Sequence, residues 1–320
     1  MTILDFLKKM VGIRSNIDAA SVTRRPENLS LVYYLTHDKQ ALMGLIIAGA
    51  FLIWSIIEGG LQVAGYILKK STLGWALLPY NPIAPPNMAI RLLPPSLSHL
   101  MGTNYIGEDI FSRVLYAAPK DALAAVLVVS VAVIFGGTVG SIAGYYGGWM
   151  DEALMRLTDA FLALPALVLA IAISVLLGFG FDSVLIALLV IWWPIYARLF
   201  RGQALTLKYR GFVEVSRLFG INGFKILFKH IFLNAIDPAI AYAALDFGTV
   251  ILTYSTLAFL GIGIQPPYPE WGAMASNGLT YFPQAWWYVF FPSLVILLVV
   301  ISFIFIGDRF QDIIAGRVNY

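Results

Sequence analysis

Six long apolar runs constrain this chain more than any other feature. They lie at roughly 41–58, 122–145, 157–177, 182–201, 236–260 and 287–307. A helix needs about 20 apolar residues to cross about 30 Å of hydrocarbon. Each run is apolar all round, so periodicity does not separate helix from strand. Length does, because only helices or closed barrels satisfy the backbone in lipid. The expected fold is all-α: a polytopic membrane helical bundle of six transmembrane helices. Composition agrees, with 59% hydrophobic and 12% charged residues against about 45–50% and about 25% in soluble domains. A soluble enzyme, a disordered regulator and a nucleic-acid-binding domain are excluded.

Lys and Arg give the orientation. With the N-terminus inside, the inner segments hold 16 of the 21 basic residues. The other five (Lys69, Lys70, Arg91, Arg113 and Lys120) surround one long outer loop. Both termini are therefore expected in the cytoplasm. Residues 1–40 read as a cytoplasmic N-terminal segment without a signal-peptide pattern, and 41–320 as the transmembrane domain. Two aqueous segments interrupt that domain. One is an external, proline-rich loop over 59–120; the other is a strongly basic cytoplasmic loop over 202–235.

Within the spans, Gly136, Gly140 and Gly144 recur every fourth residue. Small residues on one face let helices approach closely in lipid. Pro165 and Pro194 each remove a backbone hydrogen bond and are expected to bend the third and fourth spans. Asp246 falls mid-way along the fifth span, and a carboxylate there must face the bundle interior, a partner or water. Two readings stay open: protonated and hydrogen-bonded within the bundle, or facing a translocation path. A proton relay is set aside, because no second carboxylate or histidine at membrane depth lies nearby in sequence.

The chain has no cysteine and three scattered histidines. It has no HExxH spacing and no G-x-x-x-x-G-K-[ST] phosphate loop. No catalysis and no ATP binding are therefore expected of it.

The cytoplasmic stretch 211–234 reads GFVEVSRLFGINGFKILFKHIFLN. Phe212, Val215 and Phe219 recur at helical spacing, and Gly220 offers a left-handed stop. A helix of about ten residues is marginal alone in water, so it must lie on something. A partner protein's groove and the inner lipid surface are both open on physical grounds.

This stretch resembles the EAA loop of ABC importer permeases, E-A-A-x-x-x-G followed by I-x-L-P. Glu214 and Gly220 match, Val215 and Ser216 replace the two alanines, and Leu233 stands where proline is usual. GTNYIGEDIFSR (Gly102 to Arg113) resembles the G-T-D-x-L-G-R-D-x-x-S-R segment of the C-type permease in dipeptide and oligopeptide importers. Asn104 replaces its Asp and Glu108 its Arg. The stretch from Gly144 to Ser174, FLGIGIQPPYPEWGAM (Phe259 to Met274) and the late GDRFQD are also similar to that family.

The resemblance implies a type I ABC importer permease fold in the cell membrane, paired with a second, homologous permease. It further implies two cytoplasmic ATPase subunits, which bind ATP and magnesium, and an extracytoplasmic solute-binding protein. No cofactor is implied in this chain, and no nucleic acid. Residues 211–221 would form the coupling helix, with Phe212, Glu214, Val215, Arg217, Phe219 and Gly220 as its contact residues. Asp246, Tyr254 and Tyr242 are candidates for the translocation path. Tyr254 stands where acidic residues are common in the family, and it lies eight residues from Asp246, so the two can share a helix face. Peptides are the implied substrate. An aromatic in place of a carboxylate makes oligosaccharides the alternative, and an ion-driven carrier is the competing class. Segments 71–115 and 264–286, with Trp271, Tyr281, Trp286 and Trp287, are expected to face the binding protein. For Trp286 and Trp287 the interfacial aromatic belt competes with that role.

Overall fold

A computed structural model describes residues 35–315. Nearly all of the predicted segment 1–40 therefore lies outside the described residues. The first helix, α1 (Lys39–Ile67), starts at Asp38, whose side chain accepts from Ala41 N–H at 2.9 Å. The second span, α2 (Ile110–Tyr146), contains one π turn at Ala132–Gly136. The pair α3 (Gly148–Leu162) and α4 (Ala166–Leu177) follows, and α5 spans Phe181–Leu207. A short helix, α6 (Gly211–Leu218), leads to α7 (Gly223–Phe259). The described residues end with α8 (Trp271–Leu279) and α9 (Trp286–Ile314). No strand is present among the described residues.

Five of these helices are long and apolar enough to cross a membrane. A sixth is reached if the pair α3 and α4, bent by 85°, is counted as one span. The bend lies where the sequence placed Pro165, but it is a complete break. Pro165 takes extended backbone and starts a new helix, so the predicted run 157–177 straddles two helices. Pro194, in contrast, sits buried within the continuous α5.

The helices run on into both predicted aqueous segments. Residues 68–109 connect α1 to α2, within the predicted segment 59–120. Glu58 and Gln62 do not end α1, because Gln62 Nε2 donates to Glu58 Oε1 at 3.2 Å and to the Tyr116 carbonyl at 2.9 Å. At the other end Asp109 caps α2, accepting from Ser112 N–H at 2.8 Å and so fixing its start well before the apolar run. Within the basic segment 202–235, α5 runs on to Leu207 and α7 begins at Gly223.

The glycine stripe of α2 packs on α5. An added Cβ at Gly136 would lie 2.3 Å from the Trp193 carbonyl oxygen, and one at Gly140 2.1 Å from that of Ala197. Gly144 meets Ala204 in the same manner. In lipid the attraction between helices comes from close packing rather than apolar burial. The stripe therefore fixes the separation of α2 and α5. The main core joins α2, α5, α7, α8 and α9.

Candidate functional site

The predicted coupling element is the eight-residue helix α6, held at the basic end of the bundle. Its inner face is narrow. Val213 is fully buried against Ala204, Ile226 and Ile231, and the Ser216 hydroxyl returns to the Phe212 carbonyl at 2.7 Å. Arg217 lies over the Tyr145 ring at 5.2 Å. Gly220 stops the helix in the left-handed region, at φ +68°. Its N–H reaches the Arg217 carbonyl, and Ile221 N–H reaches that of Ser216. Lys208, just before the helix, donates to the Gly144 carbonyl at 3.1 Å. The helix is thus anchored to α2 and to the connected ends of α5 and α7.

Its outer face is apolar and bare. Phe212 and Val215 are exposed, Phe219 is 82% exposed and Leu218 87%. Sequence reasoning named Phe212, Val215 and Phe219 but missed Leu218, which is the most exposed of the four. The omission has a simple cause: the spacing argument followed one stripe, while the turn at Gly220 widens the apolar face. Covering each such side chain contributes about 1.5–3 kcal/mol. Glu214 is exposed in the first turn and Arg217 in the last, the arrangement that the helix dipole favours.

At the opposite end, GTNYIGEDIFSR folds into a polar knot. Arg113 pairs with Glu108 at 2.5 Å and donates to the carbonyls of Pro82 at 2.6 Å and Pro267 at 3.2 Å. It thereby ties the loop 68–109 to the loop after α7. His99 meets Asp109 at 2.9 Å, and Thr103 Oγ1 reaches the Ile90 carbonyl at 2.5 Å. The two departures from the family pattern touch: Asn104 Nδ2 donates to Glu108 Oε2 at 2.6 Å. Burial pushes the Glu108 carboxyl up, while Arg113 and Asn104 pull it down. A cavity of about 310 Å³ opens here, lined in part by Asn104, Arg113, Pro267 and Tyr288.

Several expected surface residues are core residues instead. Trp271 is 1% exposed and donates from Nε1 to the Val114 carbonyl at 2.9 Å. Trp287 is buried and directed at the Thr103 carbonyl. Both indoles have an N–H donor that the interior satisfies, so neither needs water. Tyr281 stacks on Tyr105 at 5.5 Å, and Trp286 is half exposed.

The three path candidates line up along α7 toward α5. Asp246 is buried and accepts from Trp192 Nε1 at 2.6 Å and from the Tyr196 hydroxyl at 3.0 Å. These are hydrogen bonds of the kind the first of the two readings expects. Tyr242 packs edge-on against Tyr196 at 5.5 Å and is partly buried. Tyr254 is fully buried, with its ring 5.9 Å from Phe181. Asp246 and Tyr254 do share a face, as their spacing predicts, but that face is internal to the subunit. Sequence reasoning missed Trp192 and Tyr196, because nothing in one α-helical run shows which partner helix it will meet.

Residues 136–320 match the family described as binding-protein-dependent transport system inner membrane component. The chain belongs to that family. It is 38% identical over 278 residues to the dipeptide transport system permease protein of Alkalihalophilus pseudofirmus, covering 87% of this chain and 86% of that one. It is 37% identical over 270 residues to an Escherichia coli K12 protein described as a probable D,D-dipeptide transport system permease, covering 83% and 91%. Similarity to the glutathione transport system permease protein of Pectobacterium atrosepticum is 38% over 218 residues, covering 68% and 72%. As an inner membrane component of this family, the chain is a multi-pass permease of the cytoplasmic membrane and not the catalytic subunit of its system.

Proposed function

We propose that this chain is one of two homologous permease subunits of an ATP-driven importer of di- and oligopeptides. Two ATPase subunits seat under α6 and its counterpart, and a solute-binding protein docks on the outer loops. Both termini face the cytoplasm. The observation that carries this reading is the bare apolar face of a helix braced from behind. Water gives no reason for Phe212, Val215, Leu218 and Phe219 to stay together outside the bundle, and a groove on a partner does. The bare face on a short helix favours a protein groove over the lipid surface, and the family description itself names a binding protein.

ATP binding closes the ATPase pair and moves both coupling helices. Because short connections join α6 to the ends of α5 and α7, its displacement is carried into those two spans. The bundle then rocks between inward-open and outward-open packings. ATP and the loaded binding protein each act by preferring one packing.

The substrate reading rests on the relatives, which are named for dipeptide and glutathione transport. The oligosaccharide alternative loses its footing, since Tyr254 offers no surface to a sugar ring. The ion-driven class has no support in the family. The test is co-purification of tagged chain with its ATPase subunits, followed by peptide uptake in proteoliposomes. A Glu214→Ala, Gly220→Val double variant should insert normally and lose uptake. Full uptake by that variant would remove the coupling role of α6.

A further inference from the structure

We propose that the cavity beside the Arg113–Glu108 pair binds a short peptide, taking its uncharged peptide group between the Tyr288 hydroxyl and the Asn277 side-chain amide. The choice of ligand rests on the importer reading. The cavity has a volume of about 310 Å³ and is walled by the knot, the loop after α7, α8 and the first turn of α9. That size lies at the small end of the roughly 300–1,000 Å³ typical of ligand sites. Close backbone contacts hold the walls together. An added Cβ at Gly278 would lie 3.0 Å from the Tyr288 carbonyl carbon, so the backbone next to Asn277 touches that of Tyr288. One at Gly102 would lie 2.6 Å from the Trp287 ring, whose Nε1 points at the Thr103 carbonyl. The knot and α8 are both pressed against the start of α9.

Tyr288 is the residue that points to an occupant. It is 2% exposed, and its ring stacks beside that of Tyr105, 6.5 Å away. It lines the cavity, yet its hydroxyl has no hydrogen-bond partner among the described residues. A buried polar group calls for a partner, and the cavity is where one can enter. Asn277 lines the same cavity from α8. It is exposed, and its amide is likewise unpartnered among the described residues.

The charges argue for a neutral ligand group. Both Glu108 oxygens are taken, Oε1 by Arg113 and Oε2 by Asn104. Arg113 gives its terminal nitrogens to Glu108 and to the carbonyls of Pro82 and Pro267, and its Nε is buried. A carboxylate or an ammonium entering the cavity meets no available counter-charge. A peptide group offers one C=O and one N–H. The Asn277 amide can answer both, and the Tyr288 hydroxyl either one. Pro267 and Asn277 are exposed at the mouth, so the charged ends of a dipeptide stay in water. On the importer reading this end receives the binding protein, and a released peptide passes the cavity.

The test uses the assembled importer in nanodiscs, without ATP or binding protein. The probes are dialanine and its capped form, N-acetyl-alanyl-alanine amide, with binding read by saturation-transfer NMR titration. Both should bind saturably, with affinities within about threefold of each other. Tyr288→Phe keeps the ring and its stacking and should weaken both by about tenfold, the worth of one hydrogen bond. Asn277→Ala, at an exposed position, should weaken them to a similar degree. If Tyr288→Phe does not assemble, Asn277→Ala decides. Unchanged binding in the variants overturns the proposal. So does binding of dialanine without its capped form, which would mean that charge holds the ends, and so does equal binding of trehalose. If the unliganded binding protein abolishes dialanine binding and crosslinks from position 277, the cavity is its docking pocket and the peptide site falls. Binding needs no ATP and uptake does, so the two readings fail differently. A failed site leaves wild-type uptake intact, whereas a failed importer reading removes it.

Discussion

The two ends of this bundle solve opposite problems. The end formed by 68–109 holds a buried polar knot, with Arg113 on Glu108, His99 on Asp109 and Asn104 on Glu108. At the basic end, α6 leaves four large apolar side chains in the open. One end is tied together by buried polar pairs, and the other carries an apolar helix face that the subunit leaves uncovered. Polar groups can be satisfied locally by backbone carbonyls, whereas an apolar face needs another surface of matching shape. Stability should therefore concentrate at the knot, and assembly at α6.

The largest effect that separates the two ends is expected from Arg113→Met. It strands the Glu108 carboxylate in a dry site, at a cost of about 3–5 kcal/mol. Thermal unfolding of the purified complex should shift strongly downward, and an unchanged midpoint would show that the knot does not hold the outer end together. Next comes Leu218→Asp with Phe219→Ser. Loss of two central contacts at an interface removes about 2 kcal/mol or more of binding, so recovered ATPase subunits should fall more than about tenfold. The unfolding of the subunit itself should stay within about 0.5 kcal/mol. If the subunit unfolds instead, α6 belongs to the core and the contrast between the ends fails.

Trp192→Phe tests the middle of the bundle. It leaves one acceptor position of Asp246 unfilled and should cost about 1–3 kcal/mol, while Trp192→His, which keeps a ring N–H, should lose less. Equal losses would mean that packing, and not the hydrogen bond to Asp246, holds α5 to α7. The smallest effect is expected from Glu214→Gln, a few tenths of a kcal/mol through the helix dipole. Helicity and subunit stability should barely change, so any large loss of uptake in this variant reports a contact with the ATPase.

Much of the architecture was legible in the chain. Apolar length marked six spans, and five stand as single helices. The glycine stripe announced a close helix contact, and Gly220 announced the end of α6. The extent of the helices was not legible. Gln62 and Asp109 look like loop residues until the Tyr116 carbonyl and the Ser112 N–H are in place to receive them. Trp271 and Trp287 read as surface aromatics because their acceptors, the carbonyls of Val114 and Thr103, are 157 and 184 residues away.

The sequence by itself determined that the chain lives in lipid, crosses it as helices and carries a short amphipathic helix on its basic side. Those properties are set by transfer energies and helical spacing, both of which act within a few turns of chain. Only the tertiary structure decided which polar groups meet: Asp246 with Trp192 and Tyr196, and Arg113 with Glu108. A buried charge is tolerable only beside its partner, and in a helical bundle that partner comes from another helix or loop, whose approach no local pattern encodes.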